Sequence, residues 1–293
     1  MTRPGSLPRV GVVFRPDCSP AALPRSAVAA ERAGIDELWL WEDCFLQGGI
    51  AQAAVALSAS ETVTVGIGVL PAPLRNVVST AMEIATLATV FPGRIRVGIG
   101  HGVQAWMRQA GAAVPSPLTL LREYHGALRR LLAGELVSTE GRFVRLDGVR
   151  LDWVPQQPVP VLIGGTGPKT LRLAGEIADG VIVDSLNTPD SARESLDHVA
   201  AGQAGRDGAA DFATVQYLAC VPGTSGRQRL DDEAVKRGVA FGAYGVGGTV
   251  GEITAAASAY PAQTLVLQPL GPDVDFAGFA DTVGEVASAL RTL

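Results

Sequence analysis

With three histidines and three cysteines among 293 residues, the groups able to move a proton or attack a carbon can be weighed one at a time. The first set closes an apolar run: in "LWLWEDCFLQGG" (38–49) two tryptophans give way to Glu42, Asp43 and Cys44. A carboxylate there can act as acid or base, and a thiolate as nucleophile. Cys44 is equally well read as a small packed hydrophobe, since the sequence puts no base beside it. The second is His101 in "GIGHGVQ", where Gly100 and Gly102 leave the imidazole room to exchange protons or steer an anionic ring. The other reading is a hydrogen-bonded loop histidine. His125 sits in a leucine-rich segment and His198 in a polar one, which suits packing and solvation. The third is "GGTGPKT" (164–170), a glycine turn leading into a helix start, where free amide N–H groups and the helix dipole suit a phosphate. A ligand-free turn with a glycine stop is the alternative.

Several chemistries are absent from the pattern. Pro168 separates Gly167 from Lys169, so the glycine turn is not a Walker A loop, and no GxGxxG, GxSxG or HExxH occurs. No histidine, cysteine and carboxylate spacing suits a metal site, so none is expected.

These groups need a scaffold, and the sequence alternates short β-like runs with helical patterns. Strands are expected at 9–14, 36–41, 63–70, 94–100, 159–165, 180–184, 212–221 and 263–271. Helical patterns fill the gaps, the last three at 227–240, 249–259 and 275–291. Ser19 and Pro20 mark one helix start and Gly34 its stop, while Pro92 and Gly93 stop another. A hairpin is expected over 141–153 with its turn at Asp147-Gly148. Eight strands separated by helices predict an α/β fold, a (β/α)8 TIM barrel. The hairpin is an excursion between strands 4 and 5, and one domain spans 1–293. In such a barrel the active site lies at the C-terminal strand ends. Asp43, His101 and the 164–167 turn all fall there.

Composition bounds the rest. Hydrophobic residues make up 47% and charged ones 18%, as in a packed globular chain. A net charge of -5, with Lys169 and Lys236 the only lysines, argues against nucleic acid as a partner. The first apolar run is too short for a secretory signal, and no stretch reaches membrane-span length. Three widely spaced cysteines without a CxxC fit a reducing, cytoplasmic setting.

Several segments then carry a more specific signal, in order and spacing: "AERAGIDELWLWEDCF", "TVGIGVLPAPLRN", "FPGRIRVGIGHGVQAWMRQAG", "VPVLIGGTGPKTLRLAGEIADGVI" and "GGTVGEI". On these the chain resembles the bacterial luciferase-like flavin/deazaflavin oxidoreductases, and within them the coenzyme F420-dependent branch. The resemblance implies a luciferase-like barrel, a homodimer, and F420 (alternatively FMN) at the C-terminal mouth. It places Asp43 beside the cofactor ring and a non-proline cis peptide at Gly68–Val69 behind that ring. It places a phosphate turn at Gly164, Gly165, Thr166 and Gly167. Thr249 and Glu252 have capping-box spacing and match a helix start of the family. With Gly100, His101 and Gly102 at the strand 4 exit, these residues form the expected cofactor-lining set.

Two departures stand out. Several F420-dependent relatives carry histidine after the strand 2 aspartate, where this chain has Cys44. A sugar-phosphate dehydrogenase of the family carries an acid where this chain has His101. The expected catalytic set is therefore His101, Asp43 and Cys44, with His101 supplying the imidazole from the neighbouring strand. The expected function is hydride transfer between F420 and a small organic substrate. The alternatives are an FMN-dependent monooxygenase served by a separate reductase, and a non-catalytic cofactor-binding paralogue. Trp41, Phe45, Trp106 and Met107 are candidates for an apolar substrate pocket.

Overall fold

A computed structural model describes residues 8–206, 211–238 and 244–292. In chain order the elements begin β1 (Arg9–Val13), α1 (Leu23–Arg32), β2 (Glu37–Leu40), α2 (Gly49–Ala59), β3 (Thr64–Pro71), α3 (Val77–Val90) and β4 (Ile95–Gly100). There follow α4 (Gln104–Gln109), α5 (Pro117–Leu132), β5 (Val137–Glu140), β6 (Arg145–Val149), β7 (Val161–Gly164), α6 (Pro168–Ile177), β8 (Gly180–Val183) and α7 (Pro189–Gln203). The chain continues through β9 (Ala213–Pro222), α8 (Gly226–Arg237), β10 (Val246–Gly248), α9 (Val250–Ala257), β11 (Thr264–Pro269) and α10 (Phe276–Leu290). Strands β1, β2, β3, β4, β7, β8, β9 and β11 pair in parallel in that order. Pairing of β11 with β1 closes the ring. The expected (β/α)8 barrel is therefore the observed fold.

The strands are apolar on both faces, as a buried parallel sheet requires. Along β2, Leu38 and Leu40 join the large core between barrel and helices, while Trp39 points into the barrel. There Trp39 packs with Val13, Leu162, Ile182, Tyr217 and Val266. A Cβ at Gly66 would stand 2.4 Å from the Trp39 ring, so glycine at 66 makes room for the indole. At the opposite end from the mouth, the fully buried Glu37 carboxylate is held by Arg9 Nε at 2.7 Å, Arg96 Nε at 3.1 Å and Trp39 Nε1 at 2.8 Å. A charge without water is stable only with such partners.

The hairpin differs from the expected one. Its strands β5 and β6 flank a turn at 141–144, and Gly148 lies within β6 with a φ of 60°. Glu123 of α5 decides this, accepting from the N–H groups of Arg142, Phe143 and Val144 at 2.8–3.0 Å. The local Asp147-Gly148 signal becomes a register irregularity instead, with Gly148 N–H donating to Ser138 Oγ. Ser19 precedes a short 3-10 turn without capping it through its side chain. The short elements α4 and β10 were not expected. The last two residues of the expected 227–240 helix, like the N-terminal 1–7, lie outside the described residues.

Candidate active site at the barrel mouth

The mouth is organised by one extra residue in β3. Ile67 aligns with Val97, but Leu70 aligns with Ile99, three steps against two. The surplus falls at Gly68–Val69, whose peptide bond is cis, as the resemblance implies. The bulge turns the Val69 side chain toward the neighbouring strands. A Cβ at Gly164 would lie 2.5 Å from Val69 Cγ1, one at Gly100 2.9 Å from Cγ2, and one at Gly98 3.2 Å from Cγ1. At Gly100 and Gly164 the nearest occupant of the space a side chain would fill is Val69, whereas at Gly98 Ile182 Cδ1 is closer still, at 2.4 Å. Behind the bulge, Tyr217 is fully buried and donates from its hydroxyl to the Gly68 carbonyl at 3.3 Å. A second non-proline cis peptide, Cys44–Phe45, has no counterpart in the sequence reading.

At the end of β2 the two acids divide. The Glu42 amide donates to the Val69 carbonyl at 3.2 Å, tying this exit to the bulge. The Glu42 carboxylate turns to the start of α2, accepting from Gly49 N–H at 2.7 Å and from Arg75. It caps a helix that has no side-chain cap of its own. Asp43 is half-buried, and one of its oxygens accepts from Trp41 Nε1 at 2.9 Å. Burial raises its pKa, against the opposing pull of the Trp41 hydrogen bond and the Arg15 charge. Burial and the adjacent Glu42 and Asp43 charges likewise raise the Cys44 thiol, which favours the protonated form over a nucleophilic thiolate.

At the end of β4, His101 Nδ1 lies 3.1 Å from the Gly102 carbonyl. A carbonyl only accepts, so Nδ1 carries a proton in this contact. The Gln104 amide donates to both the His101 and Gly102 carbonyls at 3.0 and 3.2 Å, fixing the loop. Met107 is buried beneath Gly102, Trp106 is half-buried, and Phe45 is exposed. Beyond β7, Gly167 begins α6 with no side-chain cap, and a Cβ there would meet nothing within 4 Å. This uncapped helix end has room for an oxygen-rich anion. Asp184, after β8, also has its pKa raised by burial, although Leu186 N–H and Asn187 donate to it.

The structure thus joins Gly68, Val69, Gly100 and Gly164 in direct packing and ties Glu42, next to Asp43, to the same bulge. His101, Gly102, Gly165 and Thr166 continue from the same strand ends. Sequence reasoning missed Tyr217 and Trp39 as the backing layer; an aromatic inside a strand gives no signal of it. Clefts of about 650 and 1040 Å³ flank the loop around Asp273, and neither is lined by Asp43, His101 or Gly164. Among the described residues no helix is long and apolar enough to cross a membrane.

The chain is similar to known proteins over most of its length. A 5,10-methylenetetrahydromethanopterin reductase of Methanolobus tindarius is 31% identical over 199 residues, 67% of this chain and 60% of that protein. An F420-dependent glucose-6-phosphate dehydrogenase of Nakamurella multipartita is 34% identical over 192 residues, 60% of this chain and 56% of that protein. The chain therefore spans about 60% of the length of these curated relatives. The solved coenzyme F420-dependent tetrahydromethanopterin reductase of Methanopyrus kandleri shares the fold at TM-score 0.80 and 19% identity, over 96% of this chain and 98% of that one. An F420-dependent secondary alcohol dehydrogenase, solved with an F420-acetone adduct, does so at TM-score 0.84 and 20% identity, over 97% and 99%. The family description luciferase-like monooxygenase matches residues 6–266. A match of that extent, on a fold shared along nearly the whole chain, means that the chain belongs to the luciferase-like monooxygenase family.

Proposed function

We propose that this protein is a coenzyme F420-dependent oxidoreductase acting on a small organic substrate. The observation that carries the reading is the Val69 bulge, seated among three glycines and partly buried at the mouth. It offers a firm backing for a flat ring, and the uncapped α6 end offers a place for a phosphate. The name of the Nakamurella multipartita relative supports F420 over other ring cofactors.

A bound deazaflavin supplies a carbon that takes or gives a hydride. The chain supplies position and protons. Gly68 and Val69 would back the ring, with Gly100 and Gly102 at the adjacent exit. Gly164, Gly165, Thr166 and Gly167 would hold the phosphate. Asp43, whose pKa burial raises, stands at the mouth as an acid/base group. His101 presents Nε2 as the acceptor for a substrate proton. Cys44 serves as an uncharged wall. The reading includes a homodimer in the cytoplasm.

The test is the spectrum and mass of the cofactor that co-purifies from an F420-producing host. F420 is expected; FMN alone would overturn the reading in favour of an FMN-dependent monooxygenase with a separate reductase. His101→Ala should retain the cofactor and lose turnover, and unchanged turnover would remove His101 from the mechanism. Bound F420 with no redox activity altered by any Asp43 or His101 variant would favour the non-catalytic paralogue.

A further inference from the structure

The loops between the barrel strands and the helices that follow them carry two arginines, Arg15 and Arg75. They also carry six carboxylates, Asp17, Glu42, Asp43, Asp184, Asp273 and Asp275. Neither arginine is available to an anion. Arg15 grips Asp17 through two nitrogens at 2.9 and 2.7 Å, and its side chain is only 15% exposed. Arg75 pairs with Glu42 and, at 3.5 Å, with Glu83. Lys169 stands in the first turn of α6, beside the turn assigned above to the cofactor phosphate. Arg108 lies in the last turn of α4, the end away from the β4 exit.

The same rim exposes large apolar side chains. Phe45 and Leu46 after β2 are 67% and 55% exposed, Val103 after β4 49%, and Leu186 after β8 46%. These side chains gain by being covered. Asp17 and Glu42 are neutralised by these two arginines, so an anion arriving at this rim meets Asp43, Asp184, Asp273 and Asp275 and no free arginine on the strand-exit loops, and must shed its water to do so.

We infer that the substrate of this site is an uncharged molecule with an apolar body, and that the rim selects against phosphorylated and carboxylated compounds. This deepens the function proposed above and rests on its placement of the site. Arg15 is the latent exception: its guanidinium is already at the rim, where Asp17 holds it with a bidentate pair and the Pro269 carbonyl accepts from its Nη1 at 3.4 Å.

Two fluorescent probes that differ by one sulfonate test this: neutral N-phenyl-1-naphthylamine and anionic 8-anilino-1-naphthalenesulfonate. Each is titrated against free and F420-saturated protein, with F420 saturation read separately from its own absorbance. The neutral probe should bind at least tenfold more tightly. The Phe45→Ser, Leu46→Ser double variant, altered at exposed positions, should weaken it at least fivefold. Asp17→Asn should unmask Arg15 and raise affinity for the sulfonate at least threefold. Equal or tighter binding of the sulfonate by the unaltered protein overturns the inference, as do a neutral probe that fails to bind and one indifferent to the rim variant. A flat F420 titration instead defeats the cofactor reading, while the probe comparison on the free protein still decides the rim.

Discussion

Gly164→Ala is the sharpest probe of how the mouth is built. The added Cβ would lie 2.5 Å from Val69 Cγ1, whereas ordinary contact begins near 3.4 Å, so about 0.9 Å must open. The backbone at 164 is not in the left-handed region, so the strain is steric alone. Overpacking of this kind costs about 1–3 kcal/mol. Val69→Ala deletes the two methyl groups in question and costs about 1–2 kcal/mol by itself. If the two side chains compete for one space, the double variant is more stable than the sum of the singles, by about 1–2 kcal/mol. Urea unfolding of all four proteins, at unchanged m-value, measures this coupling. Additivity within about 0.5 kcal/mol would show that Val69 does not occupy the glycine socket, and would refute the packing argument.

Three further outcomes follow from the same contacts. Glu42→Ala leaves Arg75 only its longer contact with Glu83 and uncaps α2, and should cost about 2–3 kcal/mol in urea melts, below the ~3–5 kcal/mol of a fully buried pair because Arg75 is partly exposed and keeps Glu83. His125, buried with Nε2 3.1 Å from the Val161 carbonyl, has its pKa pushed down to about 4 by burial. The unfolded chain takes up that proton near pH 6.5, so this stability is complete above about pH 6.5 and is lost as pH falls toward 4, by about 3 kcal/mol in all. Urea midpoints at pH 7 and 4.5 should therefore fall less far apart in His125→Gln than in the unaltered chain. Thr249→Ala breaks the capping box with Glu252 and should lower stability by about 1 kcal/mol, read as a shift in thermal midpoint.

What the sequence discloses depends on how local the cause is. The eight strands and their order follow from apolar runs and glycine or proline stops, and they match the barrel within a residue or two. The box at Thr249 was legible because both partners sit within one turn. Strand alternation shows that Glu42 and Asp43 face different ways. Which of them faces the mouth depends on Arg75, 33 residues further on. The glycines at 100 and 164 stand out in the sequence, but their occupant is Val69, delivered by one extra residue in β3 that no local pattern records. The hairpin failed for the same reason: a strong Asp-Gly turn signal lost to a carboxylate on α5 that gathers three amides elsewhere.

The central claim is that this mouth binds a deazaflavin against Val69. Parallel titration of the purified, cofactor-free protein with coenzyme F420 and with FMN tests it most directly. The account predicts saturable F420 binding in the micromolar range or tighter, weakened at least tenfold by Gly164→Ala through displacement of Val69. Micromolar FMN affinity with no F420 affinity would contradict it.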